Sequence, residues 1–216
     1  MTGLDDASRQ HRLAADADLE SRLGLVATAF RLKDEERSGW VLRGVRAPES
    51  VADHSWGTAL LCLLFADQAG VDRERAVAIA LIHDLAEAVT GDVVARVAAA
   101  DREVSEARKA AMETAAMGTL LRPGVAEFES VLHLWEAYEE RADDAARFVR
   151  DMNLIDMCLQ AALYEREGRY DATAVVPSQG GYEHLDEFFV SAEQRLESAL
   201  AKEMFELVKT DYLSSR

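Results

Sequence analysis

Residues 76–88 read Ala-Val-Ala-Ile-Ala-Leu-Ile-His-Asp-Leu-Ala-Glu-Ala, a helical stretch with apolar side chains at almost every position before His83. A helix that is hydrophobic all round cannot lie on a surface and must be wrapped by other helices. Into this buried segment the chain inserts His83 and Asp84, with Glu87 one turn further on the same side. Such groups are costly to bury unless something binds them.

A second histidine, His54, lies upstream in Pro48-Glu-Ser-Val-Ala-Asp-His-Ser-Trp56, and Asp92 follows just beyond Thr90-Gly91. Two histidines and a carboxylate make most of a divalent-metal site. A lone histidine in an apolar helix is more often a hydrogen-bonded core residue than a ligand. Here five such residues, His54, His83, Asp84, Glu87 and Asp92, concentrate on or beside apolar segments, and a purely structural reading has to explain each separately. The chain therefore reads as a metalloenzyme.

The rest of the pattern is helical nearly throughout, with three prolines and no sustained alternation of polar and apolar residues. The spacing predicts an all-α protein with helices at about 7–34, 50–69, 73–89, 101–120, 125–140, 143–168 and 181–213. Turn chemistry separates them at Ser38-Gly39, Gly70-Val-Asp72, Gly91-Asp92, Arg122-Pro-Gly124 and Pro177-Ser-Gln-Gly-Gly181, and Asp72 is the expected N-cap of the motif helix. With 216 residues, 49% of them hydrophobic, the chain can bury one substantial core. One domain over 1–216 is the expectation, with its core at about 20–170 and a C-terminal helix at about 181–213 that packs on the domain or on a partner subunit.

Net charge is −16, which argues against broad binding to nucleic-acid polymers or anionic membranes, since both need a basic surface. An anionic substrate then needs a local positive centre, which a bound cation with one or two arginines supplies. Cys62 and Cys158 lie far apart in apolar patterns and read as reduced core thiols. The start, Met-Thr-Gly-Leu-Asp-Asp, lacks the positive segment and apolar run of a secretory signal, and the longest apolar run, Ala59 to Ala66, is too short to span a bilayer. A cytoplasmic protein is expected.

The segment Gly39-Trp-Val-Leu-Arg-Gly-Val-Arg-Ala-Pro-Glu-Ser-Val-Ala-Asp-His54, followed by His83-Asp84-Leu-Ala-Glu87 and Thr90-Gly-Asp92, resembles the HD-domain metal-dependent phosphohydrolase superfamily. Within it, the 5′-deoxynucleotidase and HD-domain-containing protein 2 group is the most similar. The resemblance runs from about Leu23 through Glu165 and more weakly to Phe189. It implies a compact multi-helix bundle with a metal site between helices, and a homodimer. It also implies that His54, His83 and Asp84 are the first three ligands, that Glu87 orients or deprotonates the water, that Asp92 contacts the sugar, and that Trp40 lies near the nucleotide pocket. Taken by itself, Trp40 reads equally as a core plug.

The chain departs from the family at the fourth ligand. Where the family's distal helix carries an Asp, the run Phe148-Val-Arg-Asp-Met-Asn-Leu-Ile-Asp-Met-Cys-Leu-Gln160 has Asn153 at the matching position. A neutral amide oxygen binds hard cations less strongly than a carboxylate does. Three outcomes are open: Asn153 ligates weakly, Asp156 on the same face substitutes for it, or the site has become a binding site. Asp151, two residues back, points away.

The activity expected is phosphate release from a deoxynucleoside 5′-monophosphate or a related small phosphate. One divalent ion, Mn, Co, Fe, Zn or Mg, would lower the pKa of a water and polarise a phosphoryl oxygen. Glu87 would manage the water's proton, and Arg43 or Arg46, in the loop before His54, could steady the phosphate. Both arginines read equally as exposed loop charges. The alternative is a nucleotide-binding protein weakened by Asn153. A two-iron oxygenase would need more histidines in ligand settings than the five in this chain provide. Trp56 and Trp135 are expected in the core, and His11, His133 and His184 are expected to be structural or surface groups.

Overall fold

The computed structural model describes residues 17–93, 104–121, 126–170, 182 and 184–214. Its helices are α1 (17–29, continuing into a 3-10 turn at Phe30–Lys33), α2 (Ser38–Leu42), α3 (Val51–Ala69), α4 (Arg73–Ile82) and α5 (Glu87–Thr90), followed by α6 (Glu106–Leu120), α7 (Ala126–Glu140), α8 (Asp144–Arg166), α9 (Asp186–Glu193) and α10 (Ala199–Ser214). Among the described residues there is no strand. A lone antiparallel bridge joins Glu36 and Ser50. The expected all-α class holds. No described helix is long and apolar enough to cross a membrane.

The long helices start where the chain supplies caps. Ser50 and Asp53 form a reciprocal capping box at α3, and the side chains of Asp72 and Asp143 accept backbone N–H bonds at the starts of α4 and α8. Helix α8 buries Ala145, Val149, Met152, Ile155, Cys158 and Ala162, a three-to-four-residue spacing that makes it the central strut. Helices α3, α4, α9 and α10 pack around it and form one core cluster with Ile79, Phe189 and Phe205. Helix α10 thus packs within its own chain. A second cluster, centred on Val51, Leu85, Met117, Phe128 and Trp135, joins α5, α6 and α7 to the 3-10 turn after α1.

Several expectations need correction. The motif helix does not run to 89: α4 stops at Ile82 and residues 83–86 form a tighter turn. Leu85, Glu87 and Ala88 donate to carbonyls three residues back, while the Ala80 carbonyl accepts from the His83 ring at 2.7 Å. The side chain competes for a helical acceptor, and the backbone winds more tightly. The C-terminal helix is two helices, parted at 194–198, where the Asp151 carboxylate accepts bonds from the Glu197 and Ser198 amides. Asp151 indeed serves the side away from the motif. Trp56 is 66% exposed, while Trp135 and Trp40 are buried. Cys62 and Cys158 are buried, unpaired thiols. The expected N-terminal helical residues 7–16, His11, the Arg122–Gly124 turn and the segment 177–181 lie outside the described residues.

Candidate metal centre

The two core clusters meet at the motif, and the polar groups collect along that seam. On α3, His54 sits between Val51 of one cluster and Ala59 of the other; at the end of α4, His83 sits between Ala80 and Leu85 in the same way. Both histidines are buried, and their rings lie 5.4 Å apart. The Asp84 Oδ2 atom lies 3.3 Å from His83 Nε2 and 3.8 Å from His54 Nε2.

Each ring has one nitrogen committed and one not. His83 Nδ1 bonds the Ala80 carbonyl, and His54 Nδ1 bonds Asp156 Oδ2 at 2.6 Å. Both Nε2 atoms are buried and have no hydrogen-bond partner among the described residues. Two orphaned imidazole nitrogens beside a carboxylate, all within 4.8 Å of one another, fit a mid-series divalent cation. Burial, aided by the charge of Arg37, pushes the His54 pKa down, so the ring is held in the neutral form that ligates metals. Burial works to raise the Asp84 carboxyl, yet His83, Arg37 and His54 hold it well below the usual carboxylate range.

Above these groups opens a cavity of about 380 Å³, a size suited to a small molecule. Glu87, Asp92, Trp40 and Asn153 all line it. Glu87 is buried with Oε2 unpartnered, and burial together with Asp84 and Asp92 pushes its pKa well above the ordinary value. Asp92 follows Gly91, whose φ of 72° turns the chain back, and its Oδ2 accepts from the Ser38 amide at 2.7 Å. Trp40 is packed against Phe188, with ring centroids 4.0 Å apart, and gives its Nε1–H to Glu49 at 2.8 Å. Burial and the nearby Asp156 raise the Glu49 carboxyl to about 7.

Asp156 does not stand with the His54, His83 and Asp84 atoms. It lies behind His54, on the ring nitrogen facing away from them. Asn153 lines the cavity, its Nδ2 donating to Tyr138 Oη at 2.8 Å.

The arginine expectations are corrected. Arg43 does not line the cavity: it is 1% exposed and donates to Tyr170 Oη and to the Tyr182 and His184 carbonyls, beside Glu187. It ties α2 to the segment before α9. Arg46 bonds the Gly168 carbonyl at 2.5 Å on the exposed side. The arginines that do line the cavity are Arg37, Arg150 and Arg195, and of these Arg37 stands at the acidic cluster, 3.4 Å from Asp84 and 3.9 Å from Asp92. Sequence reasoning missed it, and missed Lys109, whose Nζ lies 3.6 Å from Glu87 and 3.4 Å from Glu113. No motif spacing marked either. The clue available was charge balance, since five clustered acidic and ligand groups, three of them carboxylates, require cations nearby. His184 pairs with Glu165, and His133 is exposed, both apart from the centre.

Residues 29–181 match the HD domain family. The chain belongs to this family. This HD-domain protein is 34% identical over 178 residues to a 5′-deoxynucleotidase HDDC2 of Danio rerio, covering 81% of its own length and 80% of the relative. It is 35% identical to the Homo sapiens protein of the same name, covering 71% of its own length and 77% of that relative. A solved structure of a conserved hypothetical protein from Pyrococcus furiosus is similar at a TM-score of 0.66 and 30% identity, covering 87% of this chain and 99% of that one. The expected resemblance is thereby borne out.

Proposed function

We propose that this HD-domain protein is a metal-dependent 5′-deoxynucleotidase that releases phosphate from deoxynucleoside 5′-monophosphates or a closely related small phosphate. The observation that carries the reading is the pair of buried, unpartnered Nε2 atoms of His54 and His83 beside Asp84, where His83 and Asp84 line a cavity that Arg37 and Glu87 also line. The relatives named 5′-deoxynucleotidase supply the substrate class.

His54, His83 and Asp84 would hold the ion. Asn153 is the neutral fourth candidate: with its Nδ2 engaged by Tyr138, the amide oxygen is the atom left for a cation. When bound, a divalent ion supplies an acidified water and polarises a phosphoryl oxygen. The remaining work falls to side chains. Glu87, whose pKa burial and the neighbouring Asp84 and Asp92 push upward, is placed to exchange a proton with the attacking water or the leaving oxygen. Arg37 has further N–H groups to present to phosphoryl oxygens. Lys109 keeps Glu87 and Glu113 from accumulating negative charge in the path of an anion. Asp92 and the edge of Trp40 border the room left for sugar and base.

Phosphate release from a panel of deoxynucleoside and ribonucleoside 5′-monophosphates tests the reading, using protein stripped by chelator and then reloaded with Mn, Co, Fe, Zn or Mg in turn. Release that vanishes on stripping and returns with metal is the expected result. Equal release by His83→Ala and wild type would overturn it. The second reading, nucleotide binding without turnover, rests on Asn153 and predicts binding of the same nucleotides with no phosphate released.

The described helices pack around one strut, which supports a single domain. A homodimer is supported by the apolar stripe Trp56, Leu60, Leu63 and Leu64 on α3, with Leu159 and Leu163 on neighbouring α8, all exposed in the monomer. Two unpaired buried thiols favour a reducing compartment such as the cytoplasm.

A further inference from the structure

Gly57 stands in the middle of α3, where a glycine costs about 1 kcal/mol against alanine. Its place is explained by what lies against it. A Cβ built on Gly57 would overlap Asp156 Oδ1 and come within 3.0 Å of its Cγ. The notch left by the missing side chain is filled by a carboxylate from α8, which reaches across to His54, one turn before Gly57. There Asp156 Oδ2 meets His54 Nδ1 at 2.6 Å.

We propose that Asp156 is the positioning residue of the metal centre: seated in the Gly57 notch, it holds the His54 ring in the Nδ1–H form and so turns the Nε2 lone pair toward His83 and Asp84. This rests on the reading of His54 as a ligand. Neutral imidazole carries its proton on either nitrogen, and only the nitrogen without it can ligate. A carboxylate acceptor on Nδ1 decides between the two, fixes ring rotation and makes the opposite nitrogen more basic.

The same contact argues against Asp156 as a ligand. Atoms bound to a common ion at about 2.1 Å and at roughly tetrahedral angles lie more than about 3 Å apart, whereas 2.6 Å is a hydrogen-bond length. Glu49 also lies within 4.8 Å of this pair. Its Oε1 already accepts from Trp40 Nε1, so that carboxylate is tied to the cavity wall.

The two helices therefore carry reciprocal halves of one device. Helix α3 supplies the ligand and the gap; α8 supplies the acceptor that fills the gap. Gly57 and Asp156, 99 positions apart in the chain, act as a unit.

The test uses the full chain stripped of metal and titrated with Co²⁺, by calorimetry and by the visible absorbance of the bound ion. It compares wild type with Asp156→Ala, Asp156→Asn, Gly57→Ala and His54→Ala. Imidazole ¹⁵N spectra of the metal-free proteins report the His54 tautomer, and thermal unfolding reports folding. Expected are a 10- to 100-fold weaker Co²⁺ affinity and a shift of His54 to the Nε2–H form in Asp156→Ala. Partial rescue is expected in Asp156→Asn, which keeps an acceptor oxygen, and a loss is expected in Gly57→Ala, which displaces an intact Asp156. Should Asp156→Ala fail to fold, Asp156→Asn and Gly57→Ala carry the comparison. Wild-type affinity and tautomer in the Asp156 and Gly57 variants, with affinity lost in His54→Ala, would overturn the positioning role and leave the metal centre standing. Wild-type affinity in His54→Ala would overturn the centre itself. Two Co²⁺ per chain, one of them lost with Asp156, would show a ligand instead.

Discussion

Asn153 donates its side-chain amide to the Tyr138 hydroxyl at 2.8 Å, and the Tyr138 ring packs against His83, so the Asn153 amide is anchored by one end beside the proposed metal centre. In the proposed centre Asn153 offers a neutral oxygen, and a carboxylate in its place adds one negative charge. Asn153→Asp should tighten divalent-metal affinity by about tenfold or more, as added anionic ligands do. Tyr138 can donate to the new carboxylate, so folding should be preserved. Titration of the stripped variant with Co²⁺ or Mn²⁺ checks this, and an unchanged affinity would remove Asn153 from the centre.

Arg37 sits 3.4 Å from Asp84 and competes with a cation for its charge. Its loss should have opposite effects on metal and on substrate. Arg37→Ala should bind metal at least as tightly as wild type, while kcat/KM for a nucleoside monophosphate falls by about 100-fold. Parallel metal titrations and steady-state assays separate the two. A fall in metal affinity would contradict the charge argument.

Glu87→Gln removes the proton carrier and leaves size and burial nearly unchanged. Turnover should drop by about 10²- to 10⁴-fold with little change in KM or metal content. Steady-state kinetics with elemental analysis measure all three. Wild-type kcat would exclude Glu87 from proton transfer.

Burial, with Asp156 nearby, lifts the Glu49 carboxyl from 4.5 to about 7. Between those values the folded metal-free protein holds a proton that the unfolded chain has released. Stability contributed by this group therefore falls as pH rises from about 4.5 to 7 and is level beyond. Glu49→Gln should flatten that part of the profile in denaturant unfolding of the stripped protein. An unchanged slope in the variant would show the carboxyl is not the cause.

Arg43 and Arg46 should behave unlike cavity residues and unlike each other. Truncating the buried Arg43 removes its ion pair with Glu187 and its bonds to the Tyr170 hydroxyl and two carbonyls, so Arg43→Ala should cost about 3–5 kcal/mol of stability. Arg46→Ala should stay within about 0.5 kcal/mol. KM for substrate should not change in Arg46→Ala. Urea unfolding and steady-state kinetics check the pair.

Much of this architecture was legible before folding. The all-α class, the main runs of the longer helices, the Asp72 cap and the gathering of His54, His83, Asp84, Glu87 and Asp92 follow from local periodicity, capping chemistry and the cost of burying polar groups, whereas the short helix α2 falls where a turn is expected. Trp56 was misread for a related reason. Helix α3 is apolar on several sides, so periodicity cannot say which side faces inward, and only its packing on α4 and α8 leaves Trp56 and Leu64 outside. The stop at Ile82 was equally hidden, because it depends on His83 taking the Ala80 carbonyl for itself.

The amino-acid sequence by itself determined an all-α chain and the chemical types of its centre, because helix formation and burial costs act over a few neighbouring residues. Tertiary structure alone decided which groups serve it and how. Arg37 rather than Arg43 or Arg46 reaches the cavity because the Glu36–Ser50 bridge, with Arg37 N bonded to Glu49 O, holds that loop against the start of α3. Asp156 became an orienting partner of His54 because α8 crosses α3 at Gly57. Both depend on residues far apart in the chain, whose distances are set only when the helices pack.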